Sequence, residues 1–369
     1  MLAPFMEPII QSLYTTAGLL WKALWALAIG YAFSSVIQVF ISKKAAAKHL
    51  GKGTPKQLTI AALLGFVSSS CSFAALSATR GLFTKGASLV SALAYMFAST
   101  NLAVEVAALA YIFLGWQYAL GLFVGAPIII TIQAILVKLT LPKKLAAKAL
   151  ENAKHKEGME MDPSEGLPEN IKDKLKSKMT WFHVGSSYKA EWKMVYKEIA
   201  VGFLVAGFVA TLVPASFFQA IFPTNLPQWL VVPLQSLLAP ILAIITVIGS
   251  MGNGPLAAIL ANNGIVFGAI MAFLYADFNV PPAVKINANY YGWPFAIYIA
   301  VVTGISAILT GIIVHLLFSY FNILPTEVKS ITELTTFQID YTFWLNILAI
   351  IVAATMFVLA RHMKQGHHH

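Results

Sequence analysis

The chain contains very little charge. Asp, Glu, Lys and Arg make up only 11% of its residues, less than half of the ~25% that is usual in a soluble domain. Residues 199–276 contain none of these four types and no His. This run of 78 residues is several times longer than the roughly 20 apolar residues that one bilayer crossing needs. The absence of charge excludes a soluble globular protein and predicts an all-α, polytopic membrane protein.

Cysteine is almost absent as well. Cys71 is the single Cys, which excludes an intrachain disulfide framework and a thiolate cage around a metal. The sequence also lacks the Gly-x-x-x-x-Gly-Lys-Ser/Thr nucleotide loop and the His-Glu-x-x-His zinc motif. No nucleophile–base pair is evident. We therefore expect no enzyme, no cofactor and no resident metal, and because the N-terminal residues contain Glu7 and no basic region, no cleaved signal peptide.

The charges that are present divide the chain into segments. Residues 142–193 contain 11 Lys and 8 Asp or Glu, typical of a soluble linker. The predicted organisation is a first membrane repeat at 1–141, a Lys-rich linker at 142–193, a second membrane repeat at 194–320, an external loop at 321–341, a last transmembrane helix at 342–362 and a tail or tag at 363–369. The net charge of +10 does not indicate a nucleic-acid partner, since the Lys residues lie mostly in loops between apolar segments.

The two membrane repeats resemble each other at a nearly constant offset. A shift of 178 residues aligns several residue types, and one residue of slippage later a Gly-Trp pair recurs. The aligned pairs include Ser72 with Ser250, Gly86 with Gly264, Asn101 with Asn279, and Gly115-Trp116 with Gly292-Trp293. Their common order along the chain predicts an internal duplication.

Lysine placement predicts the topology, because cytoplasmic loops are enriched in Lys and Arg. The Lys-rich stretch 43–56 and the 142–193 linker should both be cytoplasmic, so an even number of crossings separates them. Four apolar segments lie between them, which gives about five crossings per repeat and inverts the second repeat relative to the first. The N-terminus is then outside and the C-terminus cytoplasmic. If the short fourth segment of each repeat is re-entrant, the repeats have four crossings and are parallel.

Each repeat contains a polar interruption at the corresponding place. Ser68–Ser72 contains four Ser and Cys71, and Ser250–Pro255 contains two Gly and a Pro, residues that break a membrane helix. Paired breaks of this kind point to a substrate site, although tight helix packing and a simple loop are the alternatives. The predicted substrate pathway comprises Ser69, Ser70, Cys71, Ser72, Asn101, Asn253 and Asn279.

Two carboxyl groups are candidates for proton or ion coupling. Asp277 ends the charge-free run, and Glu105 separates two apolar segments. A charged group at membrane depth costs roughly 2.5–3.5 kcal/mol on insertion scales, so it is rarely incidental. The alternatives are a helix cap or an ion pair with Lys285 for Asp277, and an interfacial position for Glu105. Cys71 is either a soft ligand or a small buried apolar residue.

Three stretches carry a resemblance to a known family. They are Ser69-Ser70-Cys71-Ser72 with residues 98–101, the span from Trp192 to Pro214, and residues 264–285. The chain resembles the predicted permeases that include the organoarsenical efflux permeases. The resemblance implies export of small compounds across the cytoplasmic (inner) membrane, with trivalent organoarsenicals as the substrate class and Cys71 as a soft metalloid contact. Ser69 stands where that pattern has a second Cys.

The leading hypothesis is a secondary permease that exports a small solute, an organoarsenical or a related soft metalloid, by alternating access with proton coupling. A channel of the same fold is one alternative. A non-transporting membrane scaffold that acts through the 142–193 linker is another. The expected partners are the lipid bilayer, the solute and a coupling proton, and assembly into a homo-oligomer is left open.

Overall fold

The computed structural model describes residues 3–40, 50–51, 53–69, 71–155, 166–168 and 170–365. Within these ranges it contains 17 α-helices and no strand, which confirms the all-α prediction. Several predicted features lie outside the described residues. They are Lys43, Lys44, Lys48, Lys52, Ser70, residues 156–165 and 169 of the linker, and the final 366–369.

The helices are numbered here in chain order. The first repeat contains α1 (Ala3–Phe40), α2 (Pro55–Ser68), α3 (Ser72–Thr84), α4 (Leu89–Asn101), α5 (Val104–Phe113) and α6 (Trp116–Thr140). The linker contains α7 (Lys143–His155) and α8 (Ile171–Lys176), and α9 (Lys178–Leu212) begins within it. The remainder contains α10 (Ala215–Ile221), α11 (Gln228–Thr246), α12 (Ser250–Asn262), α13 (Phe267–Tyr275), a 3-10 turn (Asp277–Asn279), α14 (Pro281–Tyr291), α15 (Trp293–Tyr320), α16 (Ile331–Thr335) and α17 (Tyr341–Gln365).

Several of these helices are long and apolar enough to cross a bilayer. The described part of the chain contains six such helices, or up to seven if a bent pair forms one span. The six are Met6–Phe40, Trp116–Thr140, Lys178–Leu212, Trp229–Thr246, Trp293–Tyr320 and Tyr341–Arg361. The bent pair is α4 with α5, which meet at 45°. The multi-pass membrane prediction is therefore confirmed. The predicted third and fourth apolar segments of the first repeat, Gly86–Val104 and Val106–Gly115, form this one bent pair.

The chain forms two compact units. Unit 1 contains Met1–Ala23, Val106–His155 and Lys197–Phe337. Unit 2 contains Leu24–Glu105, Lys156–Tyr196 and Gln338–His369. Both units therefore draw on residues of the first predicted repeat.

In unit 2, the predicted second apolar segment, Leu58–Thr79, is a helical hairpin. Helix α2 ends at Ser68, Ser69 has a left-handed backbone with φ 36°, and α3 starts at Ser72. The Ser88 backbone N–H donates to the Leu50 carbonyl oxygen over 2.9 Å, so the chain returns to the end at which it entered. At 1.5 Å per residue, the 14 residues of α2 extend about 21 Å, less than the ~30 Å hydrocarbon core. This first hairpin (residues 55–84) therefore has the length and return path of a re-entrant segment.

In unit 1, a second hairpin (residues 228–262) follows the same plan. Helix α11 ends at Thr246, Val247 is left-handed with φ 55°, and α12 begins at Ser250. The Val266 N–H, just beyond α12, donates to Gln235 Oε1 of α11 over 2.9 Å. The chain that leaves α12 thus returns to the second turn of α11.

The backbone features of the two hairpins recur at the offset found in the sequence. Adding 178 to the left-handed Ser69 gives the left-handed Val247, and adding 178 to the bounds of α3 gives the bounds of α12. Gly86 and Gly264 likewise share a positive φ, 99° and 81°. These coincidences support the duplication, and its inverted sense remains a prediction.

The described parts of the linker pack on membrane helices. Lys174 of α8 donates from Nζ to the Val39 and Phe40 carbonyl oxygens over 3.0 Å each in unit 2. It therefore donates to two carbonyl oxygens in the last described turn of α1. In unit 1, Asn152 Nδ2 of α7 donates to the Tyr291 carbonyl oxygen over 2.9 Å. The linker is thus anchored at both of these points.

Gly65 sets the packing of the first hairpin on α4. A Cβ at this position would overlap the Tyr95 carbonyl oxygen and lie 3.0 Å from Ser99 N. Since backbone cannot move aside cheaply, we expect Gly65→Ala to destabilise the protein by about 1–3 kcal/mol, as overpacking does, which lowers the melting temperature in detergent by several degrees. Gly51→Ala is the control, because a Cβ there would lie 3.8 Å from its nearest neighbour, the Gly86 carbonyl oxygen, which is an ordinary contact. Equal melting temperatures for Gly65→Ala and wild type would contradict this packing.

Candidate functional site

The tip of the first hairpin is bonded to a buried carboxyl group in unit 2. Ser69 Oγ donates to Glu105 Oε2 over 3.1 Å and accepts from the Val104 backbone N–H over 3.2 Å. Glu105 lies in the first turn of α5, directly after the α4–α5 bend. One Ser hydroxyl therefore connects the broken helix, the bend and the carboxyl group.

Glu105 is fully buried, at 0% exposure, and its bonding is incomplete. Among the described residues its Oε1 atom accepts no hydrogen bond. Gly30 of α1 lies so close that a Cβ there would be 2.8 Å from Glu105 Cβ, so tight packing seals the group from that side. A buried ionisable group with an unmatched oxygen is a candidate for a functional role.

A second buried carboxyl group in unit 2 reaches the same tip through α1. Ser34 Oγ donates to the Ser69 carbonyl oxygen and to Glu191 Oε1, the latter over 2.9 Å. Gln38 Nε2 donates to Ser34 Oγ over 2.9 Å and to the same Glu191 oxygen. Because a hydroxyl has one proton, Ser34 serves one of its two acceptors at a time. The hairpin tip and Glu191 therefore compete for this donor.

The tip of the second hairpin, in unit 1, also contacts a glutamate. Glu198 Oε1 of α9 accepts from the Met251 backbone N–H over 3.3 Å, in the first turn of α12. A Cβ at Gly249 would overlap the Glu198 carboxylate. Gly249 therefore admits the carboxylate to the positive end of α12, where a helix stabilises negative charge.

Val247 at this tip is a backbone outlier. A β-branched residue rarely adopts a positive φ, and such conformations cost of order 1–3 kcal/mol and cluster at functional sites. Its value of 55° matches the position of Ser69 in the first hairpin. The left-handed conformation therefore belongs to this position in both hairpins, whether the residue is Ser or Val.

The interior of unit 1 also contains polar side chains with unmatched atoms. Asn253 lies in α12 and is 1% exposed, and among the described residues neither its Nδ2 nor its Oδ1 has a hydrogen-bond partner. Asn279 donates from Nδ2 to the Ala300 carbonyl oxygen over 3.1 Å, while its Oδ1 accepts no bond from the described residues. Asp277 is buried at the start of the same 3-10 turn. Both discontinuities in unit 1 thus contain polar groups.

Comparison with known proteins identifies the family. A family model described as "Predicted permease" matches residues 9–316. The chain belongs to this permease family. A protein of Mycobacterium tuberculosis (strain ATCC 25618 / H37Rv), named "Putative permease Rv2963", is 34% identical over 315 residues, which cover 84% of this chain and 77% of that protein. No solved structure matches. Membership of the permease family favours a transporter over an enzyme and accords with the multi-pass helices.

In this member of the permease family, all the predicted site residues that the structure describes are buried. They fall into two groups, one in each unit. Unit 2 contains Ser69, Cys71, Ser72, Asn101 and Glu105, and unit 1 contains Asn253, Asp277 and Asn279. The structure bonds Ser69 directly to Glu105. Ser70 lies outside the described residues. The roles assigned to these side chains remain predictions.

Sequence reasoning missed Glu191 and Glu198. Glu191 falls within the predicted linker and Glu198 directly precedes the charge-free run. Both lie on α9, which begins at Lys178, well before the apolar residues. One pattern in the sequence could have revealed this helix. Trp192, Val195 and Ile199 are spaced as on one face of a helix, so the apolar pattern extends from the membrane segment back into the linker.

Metal coordination by this permease would require more ligands than the described residues bring together. In these ranges no group of three His, Cys, Asp or Glu side chains could hold a metal ion. Cys71 is buried at the first hairpin tip, as the N-cap residue of α3. One thiol could contact a soft solute, but it does not form a thiolate cage.

Proposed function

We propose that this chain is a secondary permease that exports a small solute by alternating access and couples export to protons. The observation that carries the proposal is the pairing of a glutamate with the tip of a broken helix in each hairpin. Glu105 is bonded to Ser69 in the first, and Glu198 to the Met251 N–H in the second. A channel would not require ionisable groups at either tip.

The hairpin tips are suited to solute contact because their backbone is interrupted. Backbone groups that leave a helix at membrane depth need protein, water or solute as partners, and transporter sites use such half-helix ends. In the first hairpin the Ser69 carbonyl accepts from Ser34. The pathway residues that we propose are Ser69–Ser72, Asn101, Asn253 and Asn279.

We assign proton coupling to Glu105 and Asp277. Both are buried, and ionisable groups buried within membrane segments are characteristic of proton relays. Glu105 has a free acceptor oxygen among the described residues, so a proton can bind there without breaking the Ser69 bond to Oε2. Release of that proton leaves a charge that the Ser69 hydroxyl stabilises.

A trivalent organoarsenical or a related soft metalloid species is the substrate that the family resemblance suggests. Cys71 supplies one buried thiol at the first tip, and thiolates are the preferred ligands of soft ions. The direction of transport and the inner-membrane location likewise rest on the resemblance, and the lysine distribution supports the cytoplasmic linker. These features belong to the proposal.

Uptake of a trivalent methylarsenical into everted membrane vesicles tests this function. With an acid-inside proton gradient, wild type should accumulate the solute, and Cys71→Ser and Asp277→Asn should not. Glu7→Gln is the control, because Glu7 is an exposed carboxylate. Saturable, gradient-dependent uptake that Glu7→Gln retains would support the permease. Uptake that equilibrates without saturation or a gradient would support a channel instead.

A further inference from the structure

Asn253 is the buried polar side chain whose bonding is least satisfied in the described second hairpin. It is 1% exposed, and neither Nδ2 nor Oδ1 finds a partner among the described residues. An amide buried without hydrogen bonds destabilises the folded protein. An apolar side chain of similar size at this position would not lose hydrogen bonds on burial. An unmatched amide at this position therefore indicates a partner from outside the chain.

The surroundings of Asn253 are apolar and closely packed. Gly252 allows α12 to approach α9, since a Cβ there would lie 2.7 Å from Gly202 Cα. On the other side, a Cβ at Gly254 would lie 3.3 Å from Leu109 and 3.4 Å from Phe113. The two glycines that flank Asn253 thus allow other helices to pack against the first turns of α12. The Asn253 amide is therefore a polar group in apolar surroundings, as is typical of the few polar groups that orient a solute in a binding site.

The charge near this turn limits which solutes fit. The N-terminus of a helix attracts anions, but here the Glu198 carboxylate already accepts the Met251 N–H. Gly249 has no side chain that would keep the carboxylate away. An anionic solute at Asn253 would therefore find the Met251 N–H, two residues earlier in α12, already occupied.

We infer that Asn253 is a specificity-determining residue whose amide binds a neutral solute presenting both a hydrogen-bond donor and an acceptor, such as a hydroxyl or amide group. The solute acceptor bonds to Nδ2 and the solute donor bonds to Oδ1, so both unmatched atoms are satisfied together. This inference rests on the proposed permease function and adds the substrate class. Glu198 contacts the first turn of α12 and occupies the Met251 N–H that an anion would use.

The test measures the stability of the full-length chain purified without solute. Asn253→Leu and Asn253→Ala both remove the amide, and only the first adds volume. We expect both to raise the melting temperature by about 2–4 °C, the shift for roughly 1 kcal/mol in a domain of 150–250 residues. Asn262→Leu and Asn262→Ala are the matched controls on the same helix, because Asn262 Nδ2 donates to the Ala258 and Lys329 carbonyl oxygens over 2.9 Å each. The controls should not gain stability.

The outcomes separate this inference from the proposed function. Destabilisation by both Asn253 variants would overturn the inference, since it would mean that the amide is structural. Melting requires no transport, so a wild-type chain that fails to transport would count against the permease proposal alone. In transport assays, both Asn253 variants should lose solute movement, whereas Asn262→Ala should retain it.

Acetamide and acetate test the charge class, because they match in shape and differ in charge. A ligand that binds the folded state raises its stability by mass action. Acetamide should raise the melting temperature of wild type more than that of Asn253→Leu, and acetate should not discriminate between them. Stronger stabilisation of wild type by acetate, lost in Asn253→Leu, would overturn the neutral class.

Discussion

Glu105→Gln should abolish proton-driven accumulation of solute while preserving exchange of solute across the membrane. The substituted amide can still accept from Ser69 Oγ, which now bonds Glu105 Oε2 over 3.1 Å, so the first hairpin tip keeps its contact. What is lost is the ability to bind and release a proton. One proton moving through 100 mV supplies about 2.3 kcal/mol, which sustains an accumulation of roughly 50-fold. The variant should stay near onefold.

This result is measured in proteoliposomes with a set gradient, and solute counterflow is measured in the same preparation. Glu7→Gln is the exposed control, and it should accumulate solute like wild type. Accumulation by Glu105→Gln at the wild-type level would place coupling elsewhere, with Asp277 as the next group to test. Loss of counterflow together with accumulation would indicate that Glu105 is required for the structure of the tip.

The second large effect is expected for Gly249→Ala. The backbone of Gly249 has φ −84°, which any residue adopts, so the added methyl group acts through space. It overlaps the Glu198 carboxylate, the movable end of a side chain, and should displace it from the Met251 N–H. We expect transport to fall at least about tenfold, since a charge-assisted hydrogen bond contributes about 1.5–3 kcal/mol, and the melting temperature to fall by a few degrees.

A double-mutant cycle decides whether Glu198 mediates this effect. If the methyl group acts only by displacing the carboxylate, Gly249→Ala should change little in a Glu198→Ala background. The two substitutions would then be non-additive, as expected for residues in contact. Additive losses in transport would show that Gly249 is required for a reason unrelated to Glu198.

The sequence was sufficient for the class of fold and for the approximate location of the two helix breaks. Membrane insertion depends on length and hydropathy, which are local properties, so the charge-free run of residues 199–276 was decisive. The breaks at Ser68–Ser72 and Ser250–Pro255 were visible because Ser, Gly and Pro interrupt membrane helices by local chemistry. The first coincides with the observed boundary between α2 and α3. The second is displaced, because the chain breaks at Val247–Gly249 and Ser250–Pro255 forms the start of α12.

The sequence did not show whether an apolar segment crosses the membrane or turns back within it. Leu58–Thr79 is long enough to cross, and hydropathy does not distinguish a crossing from a hairpin that turns back at Ser69. The bond between Ser88 N and the Leu50 carbonyl oxygen depends on tertiary contacts. Likewise, Glu191 and Glu198 become site candidates only when α9 is seen to start at Lys178, because the linker composition masks the helix.

The most direct test of proton-coupled export is the lumenal pH of proteoliposomes that start without a gradient. A pH-sensitive dye is trapped inside and a trivalent methylarsenical is added outside. Because export against proton entry exchanges the two species, solute entering the lumen should drive protons out, so the lumenal pH should rise with wild type and stay constant with Glu105→Gln. Solute entry into wild-type vesicles at constant lumenal pH would contradict proton coupling and favour an uncoupled carrier or a channel.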